Sequence, residues 1–427
     1  MSLFICSNCG YGSASWIGRC PDCQEWNTLV QQYEEKGKRS KESIKPLQLI
    51  SLSKIKTEKR GRLRTGIFEF DRVLGGGIIP GEVILLTGEP GIGKSTLLLQ
   101  SLKNFRTIYI SGEESAEQVK DRAQRLKMNL NNLLFSDNVQ VEGIIEGIES
   151  YQEEIDIVVI DSIQTIYSKN IDSASGSVSQ LRETASRLIA FAKKTKTTIV
   201  MIGHVTKEGD VAGPKTLEHL VDCVLAFEGE KVSHHRILRA TKNRFGSIDE
   251  IGIFEMKENG LGEVNNPLAF LEESSELAAG KVIVGVSEGK RPLFFEIQTL
   301  VSSTVFATPR RVVRGVDYNK VQLIIAVLKK QLNLPLDNFD IYVNVVGGVS
   351  IKSTAADLGI AASLVSSVKN LAIPRSVVFI GEVGLLGEIR KISSEDKIIS
   401  EAKRLKFKKI ISSKIAQNIR ELKRILS

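Results

Sequence analysis

The 427-residue sequence predicts an α/β protein built on a mainly parallel sheet with helices on both faces. Apolar runs of strand length alternate with helical patterns at 83–87, 107–111, 155–161, 198–203 and 223–227. Such alternation builds crossover units that place helices over both sides of one sheet. The first run leads straight into a glycine-rich turn and another helical pattern, which puts the turn at the carboxyl end of a central strand. Four crowded cysteines precede this core, and a different rhythm of elements follows it. The expected organisation is a cysteine module over 1–30, a linker over 31–64, the α/β core over 65–266 and an α+β domain over 267–427.

The cysteine module comes first. Cys6-x2-Cys9 and Cys20-x2-Cys23 lie within eighteen residues and form two knuckles able to present four thiolates tetrahedrally. Zn²⁺ suits such a set better than a rubredoxin-like iron, being redox-silent and content with four sulfurs, so a zinc-ribbon-like module is expected. Thirty residues bury little core, which leaves the metal to supply most of the stability. Trp16 and Trp26 flank the second knuckle, either shielding the metal or offering faces to bases or a partner protein. The fifth cysteine, Cys223, sits in an apolar run and reads as a buried small hydrophobe.

The linker is polar and basic. Residues 36–64 hold eleven Lys and Arg against two acids, and residues 403–424 hold nine against one. With an overall charge of +8, the remainder carries −9, so two basic segments sit on an acidic body. That asymmetry suits contact with a phosphate backbone, although a solvated linker and a solvated terminal helix give the same charge pattern. Hydrophobic content of 42% and charge of 25% are those of an ordinary globular chain. No apolar stretch is long enough for a membrane span, and the first residues lack a signal-peptide pattern, so a cytoplasmic protein without a membrane partner is expected.

Within the core, a short helical pattern from Thr65 ends in Gly75, Gly76 and Gly77, and runs at 235–241 and 251–256 read as strands added at an edge. A loop over 258–266 closes the core. Beyond it, strands are expected at 281–286, 294–300, 341–346 and 377–380, with helices over 318–332, 355–369 and 394–405.

The turn after the first strand reads Gly88-Glu89-Pro90-Gly91-Ile92-Gly93-Lys94-Ser95 and opens into Thr96 and a leucine-rich helix. This is the Walker A pattern at every defined position. Its glycines let backbone amides curl toward phosphates at a helix N-terminus. Lys94 is expected at the β- and γ-phosphates of ATP, and the Ser95 hydroxyl on Mg²⁺. Asp161, closing the apolar run that starts at Ile155, is the second candidate on the Mg²⁺ side.

With these motifs the core resembles the RecA-like ATPases, in which the strand after the P-loop helix ends in the catalytic carboxylate. By that analogy Glu113 is the first choice and Glu114 the second for orienting the attacking water. His204, ending the run at 198–203, stands where such proteins keep a γ-phosphate sensor. The stretches 168–180 and 205–215 are read as loops facing the channel of a ring, or else as ordinary surface connections.

Over essentially its whole length the chain resembles the bacterial RadA/Sms recombination proteins. The cysteine module, the Walker segment, Ile110-Ser111-Gly112-Glu113-Glu114-Ser115 and, above all, Lys242-Asn243-Arg244-Phe245-Gly246 carry the likeness. The family implies a DNA-dependent ATPase that assembles into rings, expected to be hexameric. It further implies action on single-stranded and branched DNA and branch migration with RecA. Lys242 and Arg244, two residues apart on an extended segment, point the same way and are read as a pair offered to a neighbouring subunit's γ-phosphate.

The tail resembles the proteolytic domain of Lon at Val345–Val349 and Phe379–Ile389, yet Ala355 stands where Lon has its serine, and Asp396 falls at the place of its lysine. A missing nucleophile leaves a scaffold. A KaiC-like ATP switch binding protein partners is the competing reading, and an ATP-dependent peptidase is disfavoured by Ala355.

Overall fold

The computed structural model describes residues 3–8, 11–13, 15–32, 51, 53, 61–204, 216–229, 235–271, 277–306 and 308–426. They fall into two compact units, 1–59 and 60–427. Cys9, the stretch 205–215 and most of the basic linker lie outside the described residues.

In the first unit, β1 (Leu3–Cys6) pairs antiparallel with both β2 (Gly12–Ser13) and β3 (Leu29–Gln32). The knuckle after Cys20 is closed by tight turns. Gln24 N–H donates to Cys20 O at 2.9 Å, and Asn27 N–H to Gly18 O at 2.9 Å.

The second unit opens with α1 (Phe68–Val73), whose three following glycines adopt positive φ. Then come β4 (Val83–Gly88), α2 (Lys94–Ser101), β5 (Thr107–Ser111), α3 (Ala116–Arg125), β6 (Leu133–Ser136) and α4 (Val141–Ser150). They are followed by β7 (Ile157–Asp161), α5 (Val178–Thr195), β8 (Thr198–His204), β9 (Cys223–Glu228), β10 (His235–Asn243), β11 (Ile251–Lys257) and β12 (Gly260–Glu263). Together the strands make a nine-stranded sheet in the order β12-β11-β10-β9-β4-β8-β7-β5-β6. The six from β9 to β6 run parallel, and β10, β11 and β12 are added antiparallel at one side. β4 and β7 are buried at every position, as strands covered on both faces must be.

One reading of this region changes. Residues 258–266 are not simply a closing loop, since Gly260–Glu263 folds back on β11 as a hairpin strand. The stretch 168–180 stays largely exposed, as a loop should, and is ordered from one buried side chain. Gln180 is buried and its amide donates to the carbonyls of Ser168, Ile171 and Ser173, while Ser177 caps α5. One well-placed glutamine thereby satisfies three backbone carbonyls of the stretch.

The chain continues through β13 (Lys281–Glu288), β14 (Arg291–Ser303), β15 (Arg311–Arg314), α6 (Tyr318–Leu332), β16 (Phe339–Val345), α7 (Asp357–Lys369) and β17 (Val377–Phe379). The hairpin of β18 (Glu382–Val383) and β19 (Ile389–Arg390), then α8 (Glu395–Arg404), β20 (Lys409–Ile411) and α9 (Leu422–Ile425), complete it. Six of these strands form a mixed sheet, β15-β16-β14-β13-β17-β20. Residues Asp357–Ser366 of α7 are all buried, which fits a helix apolar around most of its girth. The basic segment 403–424 is not one solvated helix. It spans the end of α8, β20 and a short helical turn, with its cationic residues largely exposed.

The two sheets share a core: Ile237, Ile251 and Ile253 of the larger pack with Phe270, Val282 and Phe295. A buried ion cluster joins them as well. Glu69, 0% exposed, pairs with Arg72 and, at 2.8 Å, with Arg291, and it accepts from Ile253 N–H at 2.8 Å. The β13–β14 turn presses so closely on residue 249 that a Cβ at Gly289, where φ is +59°, would lie 1.6 Å from Asp249 O. No helix among the described residues is long and apolar enough to cross a membrane.

Candidate functional site

The parallel strands end at one level, and that register assembles the site. Ser111 pairs with Asp161, and Gly88 with His204, so the segments that follow these strands share one carboxyl edge of the sheet. Between β4 and α2 the chain turns through Gly88–Ser95. A Cβ on Gly88 would sit 2.5 Å from Phe227 O, and one on Gly93 would sit 2.9 Å from the Met256 methyl. The backbone oxygen dictates glycine at residue 88, while at residue 93 the methionine end could move aside and it is the positive φ that favours glycine. Gly93, at φ +108°, caps α2 without a side-chain bond, which leaves the first-turn amides for an anion.

Lys94 is buried, with Nζ donating to Gly88 O at 2.9 Å and Glu89 O at 3.0 Å. Burial pulls its pKa down to about 8, while Asp161 and Glu113 pull it back up. The Ser95 hydroxyl donates to Asp161 Oδ2 at 2.8 Å, and the buried Tyr109 hydroxyl donates to the same oxygen. Burial raises the Asp161 pKa, and these two bonds oppose the rise. A hydroxyl touching a buried carboxylate at the foot of a phosphate cradle is the oxygen donor set that Mg²⁺ takes alongside nucleotide oxygens and water.

The two neighbouring glutamates part company. Glu113 Oε1 lies 3.2 Å from His204 Nε2 and accepts from the Ser162 hydroxyl. The His204 contact first, then Ser162 and the Lys94 charge, lower its pKa to about 2 against the pull of burial. Donor atoms of Glu113, Asp161 and His204 all lie within 4.8 Å of one another. Glu114 turns toward α3, where Arg122 grips it with both terminal nitrogens, one at 2.6 Å.

Lys242 and Arg244 are not part of this cluster. Asn243 pairs with Cys223, and Cys223 with Ile84, one residue into β4. The cradle begins four residues further along, so the two lie at opposite edges of the sheet, about 13 Å apart along the strands. Both cations turn to the segment before β9. Lys242 Nζ donates to Glu218 O at 2.8 Å and His219 O at 3.1 Å, and Arg244 pairs with Asp222 at 2.9 Å.

In the first unit, the sulfurs of Cys6, Cys20 and Cys23 gather within 4.8 Å of one another, with Cys6 and Cys23 3.6 Å apart. Two sulfurs on a tetrahedral zinc at about 2.3 Å lie about 3.8 Å from each other, so the arrangement fits the metal. The tryptophans do not shield it. Trp16 and Trp26 are 55% and 68% exposed, and Arg19 stacks on Trp26.

Comparison with known proteins agrees with each part. A family model described as the KaiC ATPase matches residues 63–262, one described as a rubredoxin metal binding domain matches 4–31, and one for subunit ChlI of Mg-chelatase matches 298–415. The DNA repair protein RadA of Halalkalibacterium halodurans is 49% identical, covering 96% of this chain and 91% of its own. RadA of Listeria monocytogenes is 47% identical with coverages of 96% and 92%, and that of Aquifex aeolicus 44% with 97% and 93%. The chain belongs to the RadA family of DNA repair proteins. A solved RadB recombinase aligns with 47% of this chain and 99% of its own at 23% identity and TM-score 0.39.

As a RadA-family protein the chain is an ATP hydrolase with the RecA-like fold, and its cofactors are ATP, Mg²⁺ and Zn²⁺. The sequence reading missed Tyr109 and Ser162, which hold the two central carboxylates, and Arg122, which draws Glu114 away. A tyrosine inside an otherwise apolar strand was the available signal, since a buried phenol needs a partner. Arg236, 5% exposed with Nε 3.3 Å from the carbonyl of Ile92 in the cradle, gave none.

In the Lon-like tail, Ala355 is completely buried at the position of the serine. Asp396 is exposed and bound to Lys391 and Lys414, whereas Glu395 is the buried acid of α8, accepting from Ser413.

Proposed function

We propose that the chain is a DNA-stimulated ATPase of homologous recombination that works in the cytoplasm as a hexameric ring on single-stranded and branched DNA, promoting branch migration with RecA. In this reading the amides of residues 88–96 and Lys94 hold the phosphates, and Ser95 and Asp161 hold Mg²⁺, which neutralises charge on the transferring phosphoryl group. Glu113 orients the attacking water. It is supported over Glu114 by its bonds to Ser162 and His204 beside Asp161, against the engagement of Glu114 by Arg122. His204, in contact with Glu113, is the group that registers the γ-phosphate. Lys242 and Arg244 serve the nucleotide of the neighbouring subunit. Cys6, Cys9, Cys20 and Cys23 hold zinc.

The observation that carries this reading is the separation of the signature cations from their own cradle. Two side chains at the amino edge of the sheet cannot reach a phosphate at its carboxyl edge, so they have work at a nucleotide only where another copy supplies one. The exposed cations of segment 403–424 supply the charge for a DNA backbone. The test is ATP turnover with and without single-stranded DNA over a salt series. The reading expects stimulation that weakens as salt rises. A second reading, a KaiC-like switch for protein partners, draws on the match over 63–262 and expects turnover indifferent to DNA.

A further inference from the structure

Arg244 is not a loosely hung surface cation. Its N–H donates to Asp222 O at 3.1 Å and its Nη1 to Asp222 Oδ1 at 2.9 Å. Asp222 is 6% exposed and is fixed from its other side as well. Its N–H donates to Val83 O at 3.0 Å, and its Oδ2 accepts from Val83 N–H at 3.1 Å. Val83 is the first residue of β4, whose last residue opens the phosphate cradle.

We propose that Asp222 is the positioning residue for Arg244, holding the guanidinium at the amino edge of the sheet and tying it through β4 to the cradle of the same subunit. The inference rests on the reading that Arg244 serves a neighbour's nucleotide. A free arginine samples many rotamers, and settling it before the nucleotide arrives removes that loss from the reaction step. Among the described residues, Asp222 is the one protein acceptor of the Arg244 side chain, which stays 49% exposed, so nitrogens remain to meet a phosphate. Lys242 does not compete for the carboxylate, since its ammonium goes to the backbone carbonyls of residues 218 and 219. The residue after Arg244 is pinned too: Arg62 Nη2 donates to Phe245 O at 2.6 Å, and Phe245 N–H donates to Asn243 Oδ1 at 2.9 Å. β4 thus becomes a strut with a nucleotide at one end and, at the other, the arginine offered onward, so that strain at one cradle reaches the next.

Asp222→Asn tests this with little change of shape. The amide oxygen can still accept from Val83 N–H, while the new NH2 faces the guanidinium as a second donor. DNA-stimulated turnover is measured for the full-length chain, for Asp222→Asn, for Arg244→Ala and for the double variant, with the Kd of a fluorescent ATP analogue alongside. The expected result is a kcat lower by about tenfold or more in Asp222→Asn with the Kd unchanged, and no further loss when the same substitution is made in Arg244→Ala. Asp222→Glu, which keeps the charge but moves it by one methylene, should also lower kcat and serves if the asparagine variant folds poorly. Wild-type kcat in these variants overturns the proposal, as does an Asp222→Asn loss repeated in full on the Arg244→Ala background. Full turnover by Arg244→Ala would instead overturn the reading of Arg244 itself, and the inference with it.

Discussion

Two places in this molecule carry the outline of a catalytic site, and their side chains treat it differently. At the carboxyl edge of the nine-stranded sheet, Lys94, Ser95, Asp161, Glu113 and His204 converge, with hydrogen bonds holding the first four. In the Lon-like tail, the corresponding turn buries Ala355 completely, and Asp396 faces solvent between two lysines. The first keeps the buried polar groups that catalysis needs and meets their desolvation with hydrogen bonds. The second packs an alanine where the nucleophile would stand and keeps its buried acid, Glu395, on the Ser413 hydroxyl. Likeness of fold therefore transfers architecture to both regions and chemistry to one.

The contrast is broken most severely at Lys94. Lys94→Ala should reduce ATP turnover to background, because it removes the buried ammonium that the cradle itself supplies to the phosphates, and near-normal hydrolysis in a phosphate-release assay would reject the assignment. Glu113→Gln should come next, lowering the single-turnover rate by about 10²–10⁴-fold while nucleotide still binds. The matching change at Glu114 should act mainly on stability, through the lost ion pair with Arg122. An inactive Glu114→Gln beside an active Glu113→Gln would reverse the two roles.

A smaller effect concerns Glu82, buried immediately before β4 and near Asp222. Burial raises its pKa from 4.5 to about 7, so the folded chain holds this proton more tightly than the unfolded one. Its contribution to stability is present below pH 4.5 and is lost as the pH rises through 7, by on the order of 3 kcal/mol at most. Denaturant midpoints of Glu82→Gln and the natural chain should diverge over that window, with the natural chain losing ground as pH rises. Parallel curves would mean that Glu82 is ionised in the fold. Smallest of all is Ala355→Ser in the tail, which should yield no peptidase activity on an unstructured substrate and should cost about 1–3 kcal/mol for a buried hydroxyl. Peptide cleavage by that variant would show the second site to be one residue from function.

How much of this was legible in the sequence follows the range of the interactions involved. The cradle is local, with eight consecutive residues between a strand and a helix, and Asp161 directly follows the apolar residues Ile157–Ile160. The choice between Glu113 and Glu114 is decided by Ser162, just past the end of another strand, and by Arg122 eight residues on, neither of which periodicity reveals. Strand alternation anticipated that Lys242 and Arg244 turn to one side. That this side lies at the edge opposite the cradle depends on the register of β10 on β9, set by pairings across the sheet. Short edge strands such as Arg311–Arg314 escaped because two apolar residues between arginines carry no pattern long enough to read.

The central claim is that each nucleotide is worked on by groups from two subunits, and mixing tests it most directly. Subunits carrying Arg244→Ala and subunits carrying Glu113→Gln should each be nearly inactive on DNA. Combined in one ring, they form some interfaces where an intact Glu113 faces an intact Arg244, and turnover should return. With mixed assembly verified by labelled subunits, a rate no higher than that of either variant alone would contradict the account and return Arg244 to a role within its own chain.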